Sequence, residues 1–134
     1  MGKINITIKG IGIDLIEIKR IEKALQKWDK LLEKKILTPK EIGEIEYRKI
    51  RTRKLSFIAG RFAAKEAIFK SLGIAPRWQE VDILPGERGE PLVTLDGETL
   101  KLSQNKGIKK ILVSISHTRS FALAQAIALG DLLT

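Results

Sequence analysis

Isoleucines at positions 4, 6 and 8 alternate with polar residues, and after Gly10 the run IGIDLIEI continues the β-branched pattern, so the chain opens on a predicted strand. From about Leu15 the period changes to three and four through Ile18, Ile21, Leu25, Trp28 and Leu32, which predicts an amphipathic helix. Asp14 then falls where strand gives way to helix, a position at which a carboxylate caps free backbone N–H groups and suits the positive end of the helix dipole. On the same helix Arg20, Lys23 and Lys27 make a basic strip beside the apolar one, the usual composition of a solvated face. Thr38-Pro39 followed by Lys40 and Glu41 starts a second helix, with threonine as cap and proline at the first helical position, running to about Arg48.

The central stretch, Phe57 to Gly73, reads FIAGRFAAKEAIFKSLG and predicts a helix from about Ser56 that stops on a left-handed glycine cap at Gly73. Ile58, Phe62, Phe69 and Leu72 form its apolar stripe. Beside the stripe come Ala59, Ala63, Glu66 and Lys70, so an acid and a base one turn apart leave a strip otherwise lined by small residues. Such a strip suits a close-packed site, and it equally suits an ordinary i,i+4 ion pair in solvent. Beyond Gly73, Val81–Leu84 and Leu92–Leu95 flank the turn PGERGEP and predict a hairpin. A short helix within DGETLKLSQNKG precedes a strand ending at His117. After the turn HTRS, FALAQAIAL alternates large residues with alanines, as expected of a strand pressed against a helix. The order is that of a small α+β domain of mixed helices and antiparallel sheet, one domain over residues 1–134.

Composition narrows the class. The absence of cysteine excludes disulfides, thiolate chemistry and cysteine-held zinc, and no apolar run approaches the roughly 20 residues of a membrane span. A cytoplasmic location, with no membrane partner, is expected. The net charge of +9 calls for an acidic partner: nucleic acid, a phosphorylated small molecule or an acidic protein. Five cations in the seven residues from Arg48 to Lys54 favour a small basic nucleic-acid-binding module, or a loop facing an anionic ligand. Low aromatic content argues against base stacking. His117, the only histidine, stands among small hydroxyl residues, a group able to bind phosphate or simply to satisfy a turn.

Taken together, GIGIDLIEIKRI, FIAGRFAAKEAIFKSLG, the GEP of the hairpin and VSISHT before an alanine-alternating strand follow the order and spacing of one family. The sequence resembles holo-acyl-carrier-protein synthase, the short type of 4′-phosphopantetheinyl transferase, from about Gly10 to Leu129. The resemblance implies transfer of the 4′-phosphopantetheine arm of coenzyme A to a serine of an apo acyl carrier protein, with Mg²⁺ as cofactor and adenosine 3′,5′-bisphosphate as product. It implies a homotrimer with sites at the subunit interfaces, and no nucleic-acid partner. Position by position it makes Asp14 and Glu66 the magnesium ligands and sets Lys70 against the pyrophosphate, with Arg61 and Lys65 near the nucleotide. His117 would hold the 3′-phosphate, Pro91 would lie by the adenine, and Arg20, with Lys23 and Lys27, would face the carrier. The serine proton would go to Glu66 or to a water on the metal. The chain departs from the pattern at Glu90, where the family often has lysine. Which carrier is served, of fatty-acid, polyketide or other synthesis, is left open.

Overall fold

A computed structural model describes residues 6–28, 30–48 and 53–131, the side chains of 47 and 48 aside. In chain order they form β1 (Ile6–Glu17), α1 (Ile18–Trp28), α2 (Lys30–Ile36), α3 (Pro39–Arg48), α4 (Lys54–Leu72), a 3₁₀ turn (Trp78–Glu80), β2 (Val81–Pro85), β3 (Pro91–Leu95), α5 (Gly97–Asn105), β4 (Ile108–His117) and β5 (Phe121–Asp131). This is the α+β order expected. β1, β5 and β4 make an antiparallel sheet in that order, and β2 pairs with β3 in the expected hairpin.

Helix α4 and strand β5 form the centre. Ala122, Ala124, Ala126 and Ala128 are wholly buried, as are Ala59, Ala63, Ala64 and Ala67 of α4, so small side chains on both sides bring helix and sheet together. β1 approaches still closer. A Cβ on Gly10 would stand 1.9 Å from the Ser71 carbonyl oxygen and one on Gly12 1.9 Å from that of Ala67, so only glycine fits at either position. The small-residue strip of α4 is therefore occupied as far as Ala67 by the chain's own sheet. It opens to solvent only at Glu66 and Lys70. α4 ends as expected on Gly73, at φ 68°, whose N–H bonds to the carbonyls of Phe69 and Lys70.

Two boundaries differ from the expectation. β1 runs on to Glu17, because β5 pairs with it as far as Glu17 and Phe121 and the Ile18 N–H closes the ladder on the Ser120 carbonyl at 2.9 Å. The first helix also divides, α1 ending at Trp28 and α2 starting at Lys30. The sheet's second face is uncovered and apolar: Ile11 is 66% and Leu15 61% exposed, with Ile13, Leu112 and Leu123 beside them. Among the described residues no helix is long and apolar enough to cross a membrane.

Candidate active site

Alternation along β1 decides where Asp14 points. Gly10, Gly12, Asp14 and Ile16 share the face toward α4, while Ile11, Ile13 and Leu15 take the other. Asp14 lies inside the strand opposite Ala124, so the expected helix cap is corrected: the carboxylate caps nothing and instead meets α4 at the point where the helix carries Glu66 and Lys70. Lys70 Nζ donates to the Ile13 carbonyl at 3.0 Å and to Asp14 Oδ1 at 3.3 Å. Glu66 is half-buried one turn earlier. Burial pushes its carboxyl above the ordinary glutamate range, the Asp14 charge pushes the same way, and Lys70 pulls it back.

Two carboxylates and an ammonium thus share one partly open cluster. Among the described residues no set of three or more acidic, histidine or cysteine side chains is placed to hold a metal. A pair of carboxylates is the donor set of a hard cation that completes its shell with waters and substrate oxygens, which suits magnesium. The repulsion of Asp14, which adds to burial in raising the Glu66 carboxyl, is the condition such an ion relieves.

The nucleotide role expected for Lys65 is corrected. Its side chain is wholly buried, and its three N–H groups go to the Ile36 carbonyl (2.7 Å), Glu41 Oε1 (2.6 Å) and the Trp78 carbonyl (3.0 Å), leaving none for a ligand. Burial pulls the ammonium below the usual lysine range, and Glu41 opposes that pull. Glu41 in turn accepts from the N–H groups of Thr38 (2.8 Å) and Ile83 (2.9 Å). This residue was missed in the sequence, although Thr38 and Glu41 stand three apart as a capping box, with the Glu41 N–H returning to Thr38 Oγ1 at 3.3 Å. Arg61, one turn before Lys65, bonds through Nε to the Ile83 carbonyl at 3.2 Å and lies 4.3 Å over the Phe57 ring.

The remaining residues sit on other elements. His117 ends β4 exposed, opposite Ala122 and so on the α4 side of the sheet, followed by a turn in which Thr118 Oγ1 accepts from the N–H groups of Ser120 and Phe121. Pro91 opens β3 and, with Glu90, lines a groove of about 540 Å³ against Lys109–Val113, at the other end of β4 from His117. Glu90 turns its carboxylate into its own hairpin, accepting from the Arg88 N–H at 2.8 Å. Arg20, Lys23 and Lys27 are all exposed on α1, Lys27 lying 5.2 Å from the Trp28 ring centre. Most of the basic cluster behind the nucleic-acid alternative, residues 49–52, lies outside the described residues, and Lys54 pairs with Glu33 at 3.0 Å.

Comparison with known proteins identifies the family. Residues 10–126 fit the model of the 4′-phosphopantetheinyl transferase superfamily. The holo-[acyl-carrier-protein] synthase of Halothermothrix orenii is 38% identical over 120 residues, 87% of this chain and 94% of that one. The crystal structure of the Plasmodium yoelii holo-ACP synthase superposes with a TM-score of 0.86 at 36% identity, over 95% of this chain and 98% of that one. The Helicobacter pylori holo-[acyl-carrier-protein] synthase, solved with coenzyme A, gives 0.75 at 33% identity over 88% and 98%. The chain therefore belongs to the 4′-phosphopantetheinyl transferase superfamily, among its holo-acyl-carrier-protein synthases, and is a transferase.

Proposed function

We propose that this transferase moves the 4′-phosphopantetheine arm of coenzyme A to a serine of an apo acyl carrier protein at a magnesium site held by Asp14 and Glu66. The observation that carries the reading is the juxtaposition of Asp14, Glu66 and Lys70 on one open strip, in a chain of this family. The coenzyme A bound by the Helicobacter pylori relative supports the choice of donor. The serine hydroxyl forms a bond to the pantetheine-bearing phosphorus, the bond from that phosphorus to the bridging oxygen breaks, and adenosine 3′,5′-bisphosphate departs. Such a transfer asks for positioning and charge neutralisation more than covalent help, and magnesium supplies neutralisation on the pyrophosphate oxygens when bound. Lys70, half-exposed on a flexible stem, neutralises the bridging oxygen as it leaves. Glu66, the half-buried carboxylate of this cluster, accepts the serine proton. Arg20, Lys23 and Lys27 line the exposed side of α1, the helix that continues β1 beyond Asp14, and steer an acidic carrier toward it. The deciding experiment incubates the protein with coenzyme A, Mg²⁺ and an apo carrier and weighs the carrier. Gain of one phosphopantetheine arm is expected, and an unchanged mass with every carrier tried would overturn the reading.

His117 is assigned to the 3′-phosphate of coenzyme A. His117→Ala should weaken coenzyme A binding by about 1.5–3 kcal/mol, the scale of a hydrogen bond to a charged group. The loss should largely vanish with 3′-dephospho-coenzyme A, whereas equal losses for both ligands in calorimetry would make the residue structural.

The assembly proposed is a homotrimer, supported by the uncovered apolar sheet face and by the separation of the carboxylate cluster from the Pro91 groove within one chain. A continuous apolar patch of this kind is the mark of an interface. Sedimentation should give three times the 15.0 kDa chain. Ile11→Asp, which puts a charge at the middle of that face, should give a folded monomer. A wild type that sediments as a monomer would refute the assembly.

A further inference from the structure

Lys70 Nζ donates to two oxygens of adjacent β1 residues, the Ile13 carbonyl and Asp14 Oδ1. Both are hard oxygen acceptors of the kind that bind a small divalent cation. The lysine side chain is 53% exposed, whereas the Asp14 side chain beneath it is 17% exposed, so the ammonium covers the carboxylate while its own tip stays in water. Its stem springs from the last turn of α4 and more than half of the side chain is in solvent, so the tip can swing without disturbing the helix. An exposed ion pair is weak enough to exchange. The same ammonium lies within electrostatic reach of Glu66, so a single positive charge offsets two carboxylates that repel each other.

We infer that Lys70 gates the metal site: its ammonium competes with a divalent cation for Asp14, and once displaced it is free for the pyrophosphate of coenzyme A, so that metal and coenzyme A favour each other through one side chain. The inference rests on the reading of Asp14 and Glu66 as metal ligands. It also assigns Lys70 a cost, since the residue that aids departure of the leaving group holds down the affinity for metal alone. By linkage, whatever coenzyme A adds to metal affinity by drawing Lys70 away, metal adds to coenzyme A affinity.

The test titrates the full-length protein with Mn²⁺ alone, followed by electron paramagnetic resonance of the free ion, in wild type, Lys70→Met, Lys70→Arg and Asp14→Asn. Lys70→Met should bind Mn²⁺ about fivefold tighter than wild type, the scale of an exposed ion pair removed. Lys70→Arg keeps the charge and should stay near wild type, and Asp14→Asn should lose most of its affinity. In the presence of coenzyme A the wild type should gain more Mn²⁺ affinity than Lys70→Met does. Equal or weaker Mn²⁺ binding by Lys70→Met, with Asp14→Asn still impaired, would overturn the gate and leave the metal site standing. Wild-type affinity in Asp14→Asn would overturn the metal site itself, and the gate with it.

Discussion

Asp14→Asn should reduce phosphopantetheine transfer by about 10²–10³-fold, the scale of losing one preorganised electrostatic group, while the fold survives unchanged. Asparagine matches aspartate in shape and is tolerated at this place in β1, whose ladder to β5 uses backbone groups only. What it removes is the charge that complements Lys70 and, in the proposed site, the cation. Because Asp14 stands mid-strand, loss of a helix cap cannot explain a defect.

A second readout follows from Glu66. Its folded pKa lies above the unfolded one, so the contribution of this group to stability is present below the unfolded value and is lost as pH rises through the raised folded value. At neutral pH the ionised Glu66 therefore costs stability, and removing the Asp14 charge relieves part of that cost. With divalent metal removed by chelator, the Tm of Asp14→Asn at pH 7 should be equal to or above that of wild type. In the metal-free wild type the Glu66 carboxyl, followed by NMR, should titrate above an ordinary glutamate. In metal-free Asp14→Asn it should titrate closer to the ordinary range, because the Asp14 charge no longer adds to the effect of burial. Near-normal turnover, or a Tm lowered as by a core substitution, would remove Asp14 from the site.

Glu41→Ala should destabilise the protein by about 3–5 kcal/mol, as expected when one partner of a buried ion pair is deleted. Glu41 and Lys65 are wholly buried, 2.6 Å apart. Truncating Glu41 also orphans the N–H groups of Thr38 and Ile83, so no water-exposed substitute exists for what it accepts. A loss of that size is a large part of the stability of any domain. Urea unfolding reads it directly. Lys65→Met combined with Glu41→Gln should cost less than the sum of the two single changes, because the second change removes a charge that the first left unpaired. In the folded fraction of Lys65→Met the KM for coenzyme A should match wild type, since Lys65 offers no donor to a ligand. A selective rise in that KM would restore the nucleotide role expected from the sequence.

Local patterns in the sequence carried much of the architecture. The alanines of Phe121–Asp131 announced a strand lying tight on a helix, and all four at even positions are wholly buried against α4. Gly73 announced the end of α4, and the four-residue spacing of Glu66 and Lys70 announced a shared strip. These features are legible because period, cap and i,i+4 proximity are written within a few residues of chain. The family resemblance implies a metal-ligand role for Asp14, whereas the period around it suggested a cap at a helix start. Tertiary structure decided otherwise: pairing with a strand more than a hundred residues away extended β1 past Asp14, and the parity of the pleat then aimed the carboxylate at α4. Lys65 is the sharper case, since in sequence it is one more cation beside Glu66. Its fate was set by Ile36 and Glu41, 29 and 24 residues earlier, and by Trp78 from the far side of α4. A charge becomes buried only where several distant acceptors converge to replace its water. That convergence belongs to the packed fold, and no window along the chain contains it.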